Sequence, residues 1–289
     1  MILISDSGST GTDWVSIEND KQVKNYKTAG FNPYYSPKET IIDICEKELV
    51  PFLDKFSVKY IYYYGSGCST ENKCFIVEDA LGKVFPDAIV DVKHDLLGAA
   101  RGLFNRERGI ACILGTGSNS CLYNGSDITE NVSSLGYLFG DEGSGAHIGK
   151  LFLTAYLKNE LPVNISKAFR EKFNMSLENI LDSVYNKPQP NTYLASFMEF
   201  IGEYKDDNFI HHIIYSSFDT FFQEYIVKYS DYEAHKIGCV GSIAYFFKDI
   251  LEVVASQYDC TLATVSQNPM EGLIEYHMPD VERYASISS

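Results

Sequence analysis

The chain contains one pattern twice: an apolar strand enters a short turn of Gly, Ser and Thr and continues directly into a second strand. The first copy lies at residues 2–17 and the second at residues 109–123. Each copy is typical of a β-hairpin, so the pair predicts a duplicated domain. A loop without bulky side chains lets backbone N–H groups and hydroxyls surround an anion. Two such loops facing each other would hold a polyphosphate from both sides.

Length and composition agree with two folded domains. A chain of 289 residues exceeds the usual size of one domain and gives each of two domains enough residues for its own core. A hydrophobic content of 45% and an aromatic content of 14% are typical of globular proteins. The net charge is −15 and the 24 basic residues are scattered, which argues against a nucleic-acid partner.

The cysteines predict a reducing compartment. None of the seven forms a CxxC pair, and Cys45, Cys112, Cys121 and Cys239 lie inside apolar runs, where a free thiol behaves as a small hydrophobic side chain. We therefore expect reduced thiols and a cytoplasmic location rather than disulfides or a metal site. Met1 leads directly into a strand without a basic segment, so we expect neither a signal peptide nor a membrane span.

The first half of the chain predicts alternating helices and strands after the hairpin. Residues 36–39 read as a capping box with Pro37 as the first helical residue. The elements predicted after that helix are a strand over 58–64, a helix over 71–84, a strand over 88–92 that ends at His94-Asp95, and a helix over 96–104 opened by Asp95. This order predicts a mixed α/β sheet that is covered by helices.

The second half starts again at Gly109 and contains a long helical insertion. This helix-rich block covers residues 143–228, and its part 164–191 is polar and predicted to be rich in loops. The elements predicted after the block are a strand over 236–241, a helix over 243–258 and a strand over 261–266. We predict a first domain over 1–108, a second over 109–278, and a frayed tail over 279–289.

Five motifs carry a resemblance to a known family. They are Asp6-x-Gly8-x-Thr10, His94-Asp95, Gly-Thr-Gly-Ser-Asn at 115–119, Gly-Asp-Glu-Gly-Ser at 140–144 and Cys-Val-Gly-Ser at 239–242. In order and spacing they resemble the N-acetylglucosamine kinase family of the actin, hexokinase and sugar-kinase superfamily, from the first strand to about Tyr276. The resemblance implies an α/β fold of duplicated ribonuclease-H-like domains (the actin-like ATPase fold) with an interdomain cleft. It also implies ATP-dependent phosphorylation of an amino sugar, with the 6-hydroxyl of N-acetylglucosamine as the expected acceptor.

The first loop is implied to bind phosphate through Asp6, Gly8, Ser9 and Thr10, with Asp6 also holding Mg²⁺. A single carboxylate suffices because Mg²⁺ prefers one or two carboxylates together with substrate oxygens. The alternative is a tight turn in which Asp6 bonds its own backbone. The sequence departs from the family at Ser7, where Gly is usual, and at Gly11, where Lys or Arg is usual; the second departure removes a cation that would neutralise phosphate.

Asp95 has two compatible interpretations. An Asp before a helix is a favoured N-cap, and a carboxylate at the carboxyl end of a strand can also accept a proton from a substrate hydroxyl. The resemblance assigns the catalytic base, and a sugar contact, to Asp95. His94 is expected to be a structural neighbour.

The remaining predicted site residues follow from the same resemblance. Gly115, Thr116 and Gly117 are implied to contact the transferred phosphate; Gly117, Ser118, Asp141 and Asn32 the sugar; Gly136 the acetamido group; and Gly241 and Ser242 the adenosine. Each also has a plain structural explanation as a turn residue or, for Asp141, as an acidic helix start. The chain has no GxxxxGK[ST] and no GxGxxG motif, so neither a Walker-type nor a Rossmann site is expected.

Two other functions stay open at this point. One is an activator ATPase of acyl-CoA dehydratases, which holds an iron–sulfur cluster through cysteines; no suitable Gly-flanked cysteine follows the second phosphate loop. The other is a non-catalytic sugar- or nucleotide-sensing protein, which the departure at Gly11 would suit. The expected partners are an amino sugar and Mg-ATP, with no membrane and no nucleic acid. No sequence motif predicts the oligomeric state, and a homodimer is our working expectation.

Overall fold

The computed structural model describes residues 1–8, 11–18 and 21–287, and in these residues ten strands form two five-stranded sheets. The strands are β1 (Ile2–Ser7), β2 (Gly11–Ile17), β3 (Val23–Ala29), β4 (Tyr60–Gly65), β5 (Ile89–His94), β6 (Gly109–Leu114), β7 (Ser118–Tyr123), β8 (Ile128–Glu130), β9 (Ile237–Val240) and β10 (Leu262–Ser266).

Helices connect and cover these strands. They are α1 (Lys38–Glu48), α2 (Glu71–Val84), α3 (Asp95–Phe104), α4 (Gly136–Phe139), α5 (Gly145–Leu157), α6 (Val163–Phe173), α7 (Leu177–Tyr185), α8 (Pro190–Ala195), α9 (Met198–Glu203), α10 (Asn208–Glu224), α11 (Ser242–Phe246), α12 (Lys248–Gln257) and α13 (Met270–Ile287). No helix among the described residues is long and apolar enough to cross a membrane.

The two sheets have the same topology. Their strand orders are β3-β2-β1-β4-β5 and β8-β7-β6-β9-β10. In each sheet the first three strands form an antiparallel meander, and the last two lie parallel to the first strand of the hairpin. A tight turn permits antiparallel pairing, whereas a helical connection returns the chain in the parallel direction. The predicted α/β fold with a duplicated hairpin is therefore confirmed.

The first unit, unit 1, consists of Met1–Glu107, Asn124–Asp127 and Asn268–Ser289. Side chains alternate along β1, so its apolar residues pack in two different cores, one on each face of the sheet. Leu3 packs in a core with α1 and α2, whereas Ile2 and Ile4 pack in another core with Tyr64 of β4 and Leu273 of α13.

The second unit, unit 2, consists of Arg108–Tyr123 and Ile128–Gln267. Its core joins β6 and β9 to α5, α10 and α12, and the helical insertion adds a cluster of phenylalanines. Phe152, Phe169 and Phe200 contact one another edge to face, with ring centroids 5.0 to 5.9 Å apart. This unit alone carries the insertion, between β8 and β9.

The end of the chain differs from the prediction. Residues 268–278 were assigned to the second domain and residues 279–289 to a frayed tail, but α13 runs from Met270 to Ile287 and packs in unit 1. Leu273 and Val281 are buried there against the first strands. Pro279 lies inside the helix, where apolar contacts on one face outweigh its local cost.

Three local predictions were also wrong. The capping box at 36–39 does not form: Pro37 is the N-cap of α1 without a side-chain bond. The segment 164–191 is mostly helical (α6 to α8), because Ile165 and Phe169 are buried four residues apart in α6 and Ile180 is buried in α7. The helix predicted over 243–258 is divided into α11 and α12 at Phe247.

Candidate active site

The carboxyl ends of three parallel strands meet at one edge of the sheet of unit 1. Ser7 of β1 pairs with Gly65 of β4, and Gly65 pairs with His94 of β5. Asp6 lies one residue before the end of β1, and Asp95 directly follows β5 as the first residue of α3. Ligands bind outside the carboxyl ends of strands in open α/β sheets. The two carboxylates predicted to carry the chemistry therefore share the edge where a ligand would bind.

The environment of Asp6 disfavours its charge. Burial, then Asp95, then Asp13 raise the pKa of Asp6 to about 7. Carboxyl groups that are close to one another resist being ionised together, and a divalent cation removes this conflict. Asp6 thus fits a Mg²⁺ site of the kind that takes one or two carboxylates and completes its shell with phosphate oxygens and water. Within the described residues no group of three or more His, Cys, Asp or Glu side chains forms a larger metal cluster.

Asp95 is held by the start of α3. Its Oδ1 accepts a hydrogen bond from the Leu96 N–H at 2.8 Å and lies 2.7 Å from Nδ1 of His94. The N-cap predicted at Asp95 is in fact His94, whose Nδ1 lies 3.1 Å from the same N–H. Burial lowers the pKa of His94, but the contact with Asp95 outweighs it and leaves that pKa raised. Both contacts of Asp95 use Oδ1, and none with the described residues occupies Oδ2.

The first loop is closed by its own backbone. The Gly8 N–H donates to the carbonyl of Gly11 at 3.0 Å, and the hydroxyls of Ser7 and Thr12 lie 2.7 Å apart in the interior. Ser9 and Thr10, both predicted to contact phosphate, lie outside the described residues. The phosphate role of this loop therefore stays a prediction.

Asn32 has the turn role that sequence reasoning offered as an alternative. Its Oδ1 accepts from the Tyr34 N–H at 2.9 Å. Its side chain also lies against Gly67, which has φ +82°, and a Cβ at residue 67 would collide with it. Asn32 makes no hydrogen bond to Asp6 or Asp95 among the described residues. Its predicted contact with a sugar remains untested.

In unit 2, the second loop is tied to the start of α5. The Gly115 N–H donates to the carbonyl of Gly117 at 3.0 Å. The carbonyls of Gly115 and Thr116 accept from the Gly145 and Ala146 N–H groups at 2.9 and 3.1 Å. The helix thereby fixes the loop between β6 and β7.

Asp141 joins this loop. Its Oδ1 accepts from the Ser118 N–H at 3.2 Å and from the Ser134 hydroxyl at 3.1 Å. Burial raises the pKa of Asp141, although both of these donors oppose the rise. The structure therefore brings together Gly117, Ser118 and Asp141, three residues predicted to contact the sugar. Gly136 opens α4 with φ +70° and has open space where a Cβ would lie.

Gly241 lies against the same loop. Its φ is +121°, and a Cβ at this position would be 2.2 Å from the carbonyl oxygen of Leu114. Glycine is required for both reasons. The predicted phosphate residue Gly115 and the predicted adenosine residues Gly241 and Ser242 are thus neighbours in unit 2.

Beyond Ser242 lies a pocket of about 530 Å³ that sequence reasoning missed. Its walls are Met198, Glu199, Gly202, Lys205, Ser242, Ile243, Phe246 and Phe247. Phe246 is 60% exposed. The signal in the sequence was a pair of consecutive phenylalanines, which we read as part of one continuous helix.

Comparison with solved structures shows a relative that matches nearly the whole chain. No protein-family model matches the chain, and no curated protein matches it. Among solved structures, a protein of Porphyromonas gingivalis provisionally named an N-acetylglucosamine kinase is 39% identical, with a TM-score of 0.92; the match covers 97% of this chain and 99% of that one.

Two more distant structures share the fold. A protein of Chromobacterium violaceum with the same provisional name has a TM-score of 0.70 at 15% identity, over 95% of this chain and 98% of that one. A ROK family glucokinase of Streptomyces griseus, in complex with glucose and AMPPNP, has a TM-score of 0.54 at 11% identity, over 95% of this chain and 97% of that one. At these identities the likeness concerns the fold alone.

Proposed function

The chain belongs to the N-acetylglucosamine kinase family of the actin-like ATPase fold, and from this premise we propose that it transfers the γ-phosphoryl group of ATP to an amino sugar. The acceptor is the 6-hydroxyl of N-acetylglucosamine. The observation that carries the proposal is that Asp6 and Asp95 lie at the same carboxyl edge of one sheet. The charge of Asp95 is close enough to Asp6 to contribute to the raised pKa of Asp6.

Asp95 acts as the base toward the acceptor. Phosphoryl transfer has a loose transition state, so the carboxylate first orients the hydroxyl and takes its proton late. The contacts of Oδ1 with His94 and the Leu96 N–H fix the carboxylate, and Oδ2 then faces the hydroxyl. The proton ends on Asp95.

Asp6 holds Mg²⁺ in this proposal, and the ion, when bound, neutralises charge on the phosphates. In unit 2, the Gly115 N–H donates within the turn, whereas the N–H groups of Thr116 and Gly117 donate to no backbone carbonyl of the described residues. These N–H groups and the Thr116 hydroxyl are donors for the transferred phosphate. The pocket beyond Ser242 takes the nucleobase, while Ser118 and Asp141 bind sugar hydroxyls.

We also propose that the protein works in the cytoplasm. All seven cysteines are free thiols and all except Cys74 are buried, which suits a reducing compartment. A homodimer remains a prediction.

The direct test measures ADP release with Mg-ATP and a panel of N-acetylglucosamine, N-acetylmannosamine, N-acetylgalactosamine and glucose. We expect slow hydrolysis without sugar and an acceleration of orders of magnitude with N-acetylglucosamine. Asp95→Asn should abolish turnover and leave nucleotide affinity within a few-fold, since the carboxylate serves the acceptor. Asp87→Asn, an exposed carboxylate paired with Lys59, is the matched control. If no sugar accelerates ADP release, the kinase proposal fails and a sensing protein becomes the better account.

A further inference from the structure

We infer that the pocket beyond Ser242 selects the phosphoryl donor by ring stacking on Phe246, so that the enzyme uses both purine nucleotides, ATP and GTP. The inference rests on the proposed function, because it assigns the nucleobase to this pocket. Beyond the proposed function, it names Phe246 as the residue that selects the phosphoryl donor and states which nucleotides the enzyme accepts.

The position of the pocket favours a nucleobase. α11 begins at Ser242, directly after Gly241, which lies against the second loop. Ser242, Ile243 and Phe246 line the pocket. A volume of about 530 Å³ lies within the range of small-molecule sites. A nucleotide with phosphates at this loop could therefore reach the pocket with its base.

The walls of the pocket offer aromatic and aliphatic surface. Phe247 is buried, whereas Phe246 is exposed and its ring meets Tyr245 edge to face at 5.6 Å. Met198 and Ile243 supply further apolar surface. Stacking on an aromatic ring is tolerant of base identity because every base has a π-face. A two-ring purine covers more of Phe246 than a one-ring pyrimidine does.

The charged side chains of the pocket do not separate adenine from guanine. The Lys205 ammonium is paired with Asp249 at 3.0 Å. The carboxylate of Glu199, exposed at the rim, can accept from the amino group of adenine and equally from the N–H groups of guanine. Strong discrimination needs a site that pairs with one base and leaves buried polar groups unpaired with the other. Neither Lys205 nor Glu199 forms such an arrangement.

The test measures binding of ADP, GDP, CDP and UDP to the full chain by calorimetry, without sugar. We expect dissociation constants for ADP and GDP within about tenfold of each other, and those for CDP and UDP at least about tenfold weaker. Phe246→Ala should weaken ADP and GDP alike by about tenfold, and Phe246→Trp should restore both. Tyr185→Ala, which removes another exposed aromatic ring outside the pocket, should change neither.

Three results would overturn the inference: ADP binding without GDP binding, no effect of Phe246→Ala, or a change above about tenfold in the ADP to GDP ratio on Glu199→Gln. Circular dichroism confirms that each variant is folded, which the exposure of residues 199 and 246 favours. Nucleotide binding without any sugar phosphorylation would overturn the proposed function and the use of ATP and GTP as donors, and would leave only the stacking of purine bases on Phe246. Absence of nucleotide binding would overturn both.

Discussion

At the scale of single residues, Asp6 is a buried carboxyl group whose ionisation opposes the stability of the fold. The pKa of Asp6 is about 7 in the folded chain and 3.8 in its ordinary state. Between these values the folded state holds a proton that the unfolded state has lost, so stability falls as the pH rises through this window. The difference between the two pKa values corresponds to at most about 4 kcal/mol of the free energy of unfolding.

We therefore expect Asp6→Asn to unfold at higher urea than the wild type at pH 8 without ligands, and to lose this advantage at pH 5. The same variant should lose Mg²⁺-dependent turnover. Urea titrations at both pH values test the stability, with Asp87→Asn as the control. If the variant is less stable than the wild type at pH 8, the conclusion that the ionised carboxylate of Asp6 destabilises the fold is wrong.

Gly11 offers a second test at this scale, since the resembling family usually carries Lys or Arg there. Gly11 does not have a positive φ, and among the described residues a Cβ would meet just the Thr28 carbonyl oxygen, at 3.8 Å. The backbone of Gly11 therefore accepts a side chain. Gly11→Lys should lower the KM for ATP several-fold at low salt and less at high salt, because screening weakens exposed charges. Gly11→Ala is the neutral control, and equal KM values for the two variants would refute a role for the charge.

At the scale of elements, local sequence patterns predicted the helices and strands that depend on interactions between residues close in sequence. The hairpins, the helix over 71–84 and the parallel strands follow from periodicity and turn residues, and the structure has all of them. The cap of α3 could not be predicted in the same way. His94 holds the N-cap position because Asp95 already lies inside the helix, yet the Leu96 N–H is closer to Oδ1 of Asp95 than to Nδ1 of His94.

Asp141 binds residues of two other segments, Ser118 and Ser134, and no local sequence pattern could predict these contacts. Asp141 has φ +58°, which Asn also tolerates, and its Oδ1 binds Ser118 and Ser134. Asp141→Asn keeps an acceptor in place but removes the charge. We expect the KM for the sugar to rise about tenfold or more, with kcat within a few-fold and the KM for ATP unchanged, since an ionised acceptor forms the stronger hydrogen bonds. Glu142→Gln, in the same turn, is the matched control; equal sugar KM values for both variants would argue against a sugar contact at Asp141.

At the scale of the whole molecule, the chain returns to its first domain. The sequence motifs give the division near residue 108, but the place of α13 depends on long-range contacts that no local pattern contains. Leu273 is fully buried with Ile2 and Ile4 of the first strand, although most of the chain separates them. Apolar periodicity could predict that these residues are buried, but not which of the two sheets buries them.

The single tryptophan makes this arrangement measurable. Trp14 is fully buried in unit 1, and its indole N–H donates to the Thr28 hydroxyl at 3.1 Å, so its fluorescence reports the unfolding of that unit. Leu273→Ala removes side-chain volume from the core that α13 shares with the first strands. We expect a loss of about 2 to 5 kcal/mol in the fluorescence-detected unfolding free energy.

Leu251→Ala is the matched comparison, because Leu251 is equally buried but lies on α12 in the core of unit 2. We expect its effect to be larger in the far-ultraviolet circular dichroism transition than in the tryptophan transition. The order of the two variants should therefore reverse between the two signals. If Leu273→Ala leaves the tryptophan transition in place while Leu251→Ala moves it, then α13 stabilises unit 2 in solution, and the return of the chain to its first domain is wrong.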